Sequence, residues 1–158
     1  RDALLALAPA RRLPARIDDL FRGAEVNPTE GRAALHTALR NPDDDSALVG
    51  GEPVGPAIRA TLARMREVVD DITSGRWRGH GGARITDVVN LGIGGSHLGP
   101  QLVCDALRYA HTGALRVHFV SNVDGGDIGR VLDTLDPAST LFIVASKSFT
   151  TPETALNA

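Results

Sequence analysis

"VVNLGIGGSHLGP", residues 88–100, decides the fold. An apolar run, Val88 to Leu91, passes straight into four glycines and one serine within nine positions. Glycine weakens any regular element, so such a cluster marks a place where something approaches the main chain closely. Immediately afterwards Leu98, Leu102, Val103, Ala106 and Leu107 keep to one face of a 3.6-residue period. The stretch therefore reads as a strand, a bare turn and a helix.

Working downstream, the same alternation repeats. Val117-His118-Phe119-Val120 reads as a second strand, and Ile128, Val131, Leu132 and Leu135 as a second helix. Leu141-Phe142-Ile143-Val144 is a third strand, apolar throughout, and a further helix is expected near Thr151-Pro152. Continuous apolar strands between amphipathic helices predict a parallel sheet covered on both faces. The class is α/β, with a β-α-β-α-β-α unit of the doubly wound, flavodoxin-like type.

Upstream, residues 1–78 read as helical. In "NPTEGRAALHTALR", residues 27–40, Asn27 is the expected N-cap, Pro28 the first helical residue and Glu30 the capping-box partner. Leu35, Ala38 and Leu39 form its apolar stripe, and Asn41-Pro42 stops it. A second helix is expected from about Pro56 to Ser74-Gly75, with Ile58, Leu62, Met65, Val69 and Ile72 on one face. Met65 and Trp77 are expected to be packing residues. Asp43-Asp44-Asp45 reads as a solvated loop, with no further ligand pattern to make it a metal site. Two segments follow: 1–78, helical, and 79–158, the α/β part.

Composition bounds the function. The 158 residues carry a net charge of −2, which argues against a nucleic-acid or anionic-membrane footprint. No apolar run reaches the ~20 residues that span a bilayer, and no basic-then-apolar segment opens the chain. Cys104 is the one cysteine, which leaves no internal disulfide or cysteine-based zinc site and points to a reducing, cytoplasmic compartment. Of 17 basic residues, only Lys147 is a lysine. The chain begins at Arg1 without a methionine and stops at Ala158 inside a predicted helix, so it reads as part of a longer protein.

In open parallel sheets, ligands bind beyond the carboxyl ends of the strands, where strand order reverses. Two loops there carry unusual chemistry. One is Gly92-Ile93-Gly94-Gly95-Ser96. The other is "SKSFTTPET", residues 146–154, with Ser146, Lys147, Ser148, Thr150, Thr151 and Thr154 in nine positions. With strand order 2-1-3 the first and third strands are neighbours and these loops face one another. Thr151 is a natural N-cap and Pro152 a natural first helical residue, and a helix start attracts anions. Hydrogen bonds to a charged group contribute roughly 1.5–3 kcal/mol each, so hydroxyl and amide donors hold a phosphate with little basic charge. A dinucleotide fingerprint fits at Gly92 and Gly94 and fails at His97; a P-loop fits at Gly94 and Gly99 and fails at Pro100-Gln101. Asp124, positioned for a ribose, keeps a Rossmann nucleotide-binding domain as a weak alternative.

At these residues a family resemblance enters. "VVNLGIGGSHLGP" and "LFIVASKSFTTPETALNA", with "FVSNVDGGDI" and "NPTEGRAALHTALR", resemble the glucose-6-phosphate isomerase family, whose phosphosugar-binding half is a sugar isomerase (SIS) type domain. The resemblance covers about residues 22–158 and only the N-terminal part of family chains. It implies an SIS-type sheet whose first part is residues 79–158. It implies that Gly95 and Ser96 contact a sugar phosphate, and that Ser146, Ser148 and Thr151 hold the phosphate, with Lys147, Phe149 and Thr150 completing the loop. Ser148 stands where the family usually has Thr, His97 where it has Asp, Pro152 where it has Gln, and Gly126-Asp127 where it has Thr-His.

The reaction implied is the interconversion of glucose 6-phosphate and fructose 6-phosphate, a step of glycolysis and gluconeogenesis, through an enediol. The family places its acid–base Glu, His, Lys and Arg further along the chain, so none of residues 1–158 is expected to be catalytic. No cofactor and no metal are implied. His36, His80, His97, His111 and His118 read as structural or exposed. A homodimer is implied for the full-length protein, because the family's site borrows a residue from a second subunit. The chain alone is expected to bind phosphosugar weakly and not to turn it over. The alternative is a non-catalytic SIS-type phosphosugar-binding regulator.

Overall fold

The computed structural model describes residues 2–113 and 115–158. They fall into two units, one ending at residue 67 and one spanning 68–158, with the division inside a long helix. The first unit carries α1 (Asp2–Ala10), α2 (Leu13–Phe21), α3 (His36–Arg40), a hairpin of β1 (Leu48–Val49) and β2 (Glu52–Pro53), and most of α4 (Gly55–Ser74). α4 starts and stops where its Pro56 and Ser74-Gly75 signals place it.

The helix expected from Asn27 is corrected. Residues 27–32 instead turn back on themselves: the Asn27 amide donates to Arg32 O at 3.1 Å and the Arg32 amide to Asn27 O at 3.3 Å. The Asn27 Oδ1 that would cap a helix accepts from Thr29 Oγ1 at 2.7 Å. This side-chain alternative to helix formation is what makes Asn a turn residue as well as a cap. The helix begins only at His36, where Ala38 is its buried residue. The hairpin at Val49-Gly50-Gly51-Glu52, not foreseen, adds a small antiparallel pair to a segment read as wholly helical.

The triple-aspartate loop is held by side chains of its own unit. Arg59 donates to Asp45 Oδ1 at 3.0 Å and to Pro42 O at 2.7 Å, and Asp44 Oδ1 accepts from the Ser46 amide at 2.8 Å.

The second unit is the α/β part. It contains β3 (Asp87–Leu91), α5 (Gly95–Ala106), β4 (Arg116–Val120), α6 (Gly125–Leu132), β5 (Thr140–Val144) and α7 (Pro152–Asn157). The strands are parallel in the order β4-β3-β5, the 2-1-3 order of the expectation. Leu91 is level with both Val120 and Val144, so all three strands end at one edge. Val89, Leu91 and Val120 form the fully buried centre, and Ile128, Val131 and Leu135 pack against them. On the other face Val88, Asn90, Val117, Phe119, Leu141 and Ile143 border an apolar cavity of about 290 Å³.

Burial is less complete than the apolar patterns suggest. Leu98 and Leu102 of α5 are 63% and 69% exposed, and α5 buries no residue. Met65 and Trp77, expected to pack, are 59% and 45% exposed, as are much of Phe142, Ile143 and Val144 on β5. Covering on both faces holds for β3 and not for β5. Periodicity identifies which face of an element is apolar; it does not supply the layer that covers it. In this chain β5 is a sheet edge, so its apolar side chains meet solvent.

Candidate functional site

All three strands open into loops at the carboxyl edge of the sheet. The Ala145 amide donates to Leu91 O at 2.8 Å and the Gly92 amide to Val120 O at 3.2 Å. These bonds extend the pairing one residue beyond the strands. The loops after β3 and β5 therefore leave adjacent strands from the same level, with no strand between them.

The first loop is bare for two separate reasons. At Gly92 a Cβ would lie 2.6 Å from Ser96 O and 3.0 Å from Ser96 C, so the loop packs directly on the first turn of α5. Gly94 has φ +56°, in the left-handed region that favours glycine. Gly95 and Gly99 have nothing within 4 Å of where a Cβ would stand. Asn90, 7% exposed, donates from Nδ2 to Ser96 O at 3.0 Å. The Ser96 and His97 amides turn back to Ile93 O and Gly94 O, both at 3.1 Å. Gly95 is exposed and Ser96 half-buried.

The second loop is compact. Ser146 Oγ accepts from the Phe149 amide at 3.0 Å, and Ser148 Oγ lies 2.7 Å from Thr150 Oγ1. Phe149 has φ +55° and is 72% exposed. A bulky residue in left-handed backbone stores strain that a surrounding structure must hold. Thr151 stands at the N-cap of α7, as expected, and its side chain makes no capping bond. Its hydroxyl is therefore not spent on its own helix. Lys147, Ser148, Phe149 and Thr150 are exposed, while Ser146 and Thr151 are half-buried. Thr154, one turn further in, is 5% exposed and its Oγ1 has no hydrogen-bond partner.

The third loop, after β4, is closed by its own carboxylates. Asp124 Oδ1 accepts from the Gly126 amide at 2.7 Å and caps α6. Asp127 Oδ2 accepts from the Ser121 and Asn122 amides at 3.3 and 3.2 Å, and Asp127 Oδ1 pairs with Arg130 at 3.0 Å. Asp124 thus spends one carboxylate oxygen on capping α6. His97, where a dinucleotide fingerprint has its third glycine, stacks its ring edge-to-face on Phe119 with centroids 5.7 Å apart. Asn157 Nδ2 donates to Asn122 O at 2.8 Å, tying α7 to this loop.

One buried charge centre lies at the opposite, amino edge of the sheet. Asp87, 1% exposed, accepts from Arg116 Nη2 at 2.7 Å and from Thr86 Oγ1 at 2.8 Å, and its Oδ1 lies 2.8 Å from His118 Nε2. The Arg116 hydrogen bond is the main cause that lowers the Asp87 pKa to about 2 against the opposing effect of burial. His118 is therefore a structural partner across the strands, and His111 Nε2 lies 3.0 Å from Leu115 O. Sequence reading missed the Asp87 centre. The signal was an aspartate opening an apolar strand, with Arg116 and His118 two residues apart on one face of the next.

A family model described as phosphoglucose isomerase matches residues 1–158. Glucose-6-phosphate isomerase 1 of Colwellia psychrerythraea is 48% identical over 157 residues, 99% of this chain and 29% of that protein. Glucose-6-phosphate isomerase of a Roseiflexus species is 54% identical over 155 residues, 98% of this chain and 28% of that protein. Among solved structures, the crystal structure of a glucose-6-phosphate isomerase from Chlamydia trachomatis matches with a TM-score of 0.81 at 30% identity, covering 99% of this chain and 30% of that one. The chain thus spans less than a third of the length of these relatives.

Proposed function

The chain belongs to the phosphoglucose isomerase family, and from that premise we propose that it supplies the phosphosugar-binding loops of an enzyme interconverting glucose 6-phosphate and fructose 6-phosphate. Its fold is the α/β, SIS-type fold of that family. Residues 79–158 are the opening part of the sugar-binding domain. The whole protein is a homodimer in the cytoplasm and works in glycolysis and gluconeogenesis. Its acid–base groups, which move a proton between C1 and C2 through an enediol, come from parts of the protein beyond these loops. Among the described residues no helix is long and apolar enough to cross a membrane.

The observation that carries this reading is the strand order. With β3 beside β5, the Gly95-Ser96 turn and the Ser146–Thr151 loop leave neighbouring strands at one edge. Hydroxyls of Ser148, Thr150 and Thr151 sit at the exposed or half-exposed rim, and Thr151 is not consumed by capping. A compact monophosphate suits such a rim better than a dinucleotide.

Titration calorimetry with fructose 6-phosphate tests the proposal. Ser148→Ala and Thr151→Ala are each expected to weaken binding about tenfold, the size of a lost hydrogen bond to a charged group. Asp44→Ala, which removes the acceptor of the Ser46 amide and of Asn41 Nδ2 in the first unit, is expected to leave affinity unchanged. Equal losses in all three variants would overturn the cradle, as would NAD binding that fructose 6-phosphate does not displace. Residues 1–158 alone are expected to show no isomerase turnover.

A further inference from the structure

Asn90 is the one polar side chain in the middle of an apolar sheet face. Its register neighbours are Phe119 on β4 and Ile143 on β5. Val88 precedes it on the same face, and Ile72 and Pro100 border the same cavity. A buried amide in such surroundings costs stability unless its hydrogen bonds are made. The bond that Asn90 Nδ2 makes there is not within the sheet. It reaches forward to Ser96 O, at 3.0 Å, in the first turn of α5.

Two contacts therefore converge on the Ser96 carbonyl. Asn90 holds it from the sheet, and Gly92 lets the loop backbone lie against it. Departures from local apolar pattern concentrate where function requires them. A Leu or Val at position 90 would suit the face better and would take the Asn90 donor away from the Ser96 carbonyl.

We propose that Asn90 is a positioning residue for phosphosugar binding: its side-chain amide fixes the Ser96 peptide so that Gly95 and Ser96 present their backbone and hydroxyl to the sugar phosphate. The proposal rests on the phosphosugar reading of that loop. Asn90 does not touch the ligand. It sets the orientation of the first turn of α5 relative to β3, and through it the direction in which Ser96 Oγ points.

The test is made in the whole protein, with fructose 6-phosphate as probe. Asn90→Leu keeps the four side-chain heavy atoms and their branch point, suits the apolar face and removes the donor. It is expected to raise the KM for fructose 6-phosphate about tenfold with kcat within about twofold, the loss of one aligning hydrogen bond. Its Tm is expected to equal or exceed that of the parent, because a buried polar group has been replaced by an apolar one. A merely structural role moves the other way: Tm falls and KM stays, and that result overturns the proposal. Should Asn90→Leu not fold, Asn90→Val carries the same expectation for KM, since it too suits the apolar face and has no donor for the Ser96 carbonyl.

Ser96→Ala separates this inference from the reading beneath it. If Ser96→Ala weakens fructose 6-phosphate binding and Asn90→Leu does not, positioning fails and the phosphosugar site stands. If Ser96→Ala changes nothing, both fail. If both weaken it, the double variant is expected to lose less than the product of the two, because Asn90 acts through Ser96; full additivity overturns the proposal.

Discussion

Asp87→Ala is expected to destabilise the folded chain by about 3 kcal/mol at neutral pH, close to the lower end of what breaking a buried ion pair costs. The carboxylate is 1% exposed and engages three side chains, two from β4 and one from the residue before β3. Removing it leaves Arg116, Thr86 and His118 converging on nothing. Arg116 is two-thirds exposed and recovers water readily, which keeps the cost from rising further. Arg116→Ala is expected to cost less than Asp87→Ala, because Asp87 then retains Thr86 and His118.

The same centre makes stability sensitive to acid. In the unfolded chain Asp87 takes up a proton near its ordinary value of 3.8; in the folded chain it resists until about 2. Below about pH 5 the unfolded state therefore binds more protons, and stability falls as pH falls. The contribution, about 2 kcal/mol, is present above that range and lost as pH approaches 2. Urea unfolding of the parent and of Asp87→Ala between pH 7 and 2 checks this. The gap between them is expected to narrow in acid. A gap that stays constant across the range shows that ionised Asp87 gains nothing from its partners.

How much of this was legible in the sequence depends on how local the signal is. The three strands and their helices follow from apolar runs and spacing, and they survive; the 2-1-3 order was only the condition under which the two loops face one another, and the order β4-β3-β5 meets it. So do the boundaries of α4 and the start of α7 at Thr151-Pro152. Asn27-Pro28-Thr29-Glu30 misled because Asn serves caps and turns alike, and Thr29 takes the oxygen that a cap would use. Leu98, Leu102 and Met65 misled because periodicity names an apolar face without naming its cover. The two loops, Gly92–Ser96 and Ser146–Thr151, were visible as motifs. What was hidden is how they are held: Asn90 reads as one more residue of a buried strand until its amide is seen crossing to Ser96. Phe149 likewise reads as an ordinary aromatic, and only its φ of +55° marks it as strained.

The largest effect on binding is expected at Gly92. An alanine there brings Cβ to 2.6 Å from Ser96 O and 3.0 Å from Ser96 C, both backbone atoms that no rotamer change can move. Relief requires α5 to shift away from β3, which strains the Asn90–Ser96 bond and the Gly92–Val120 bond together. Overpacking of this kind costs about 1–3 kcal/mol. Fructose 6-phosphate affinity is expected to fall about a hundredfold, the loss of up to two hydrogen bonds to a charged ligand. The neighbouring glycines sharpen the test. Gly99 lies within α5 with open space around it. Gly99→Ala is therefore expected to stabilise by about 0.5–1 kcal/mol with affinity unchanged. Gly95 also has open space, but it stands at the first turn beside Ser96. Gly95→Ala is expected to keep or raise stability while weakening fructose 6-phosphate binding, because the added methyl occupies the surface that the ligand approaches. Unfolding by urea and binding by calorimetry on the three variants separate these roles: Gly92 as packing, Gly95 as contact, Gly99 as neither. Equal behaviour of Gly95→Ala and Gly99→Ala in binding removes Gly95 from the site, and an unperturbed Gly92→Ala shows that the loop does not rest on Ser96.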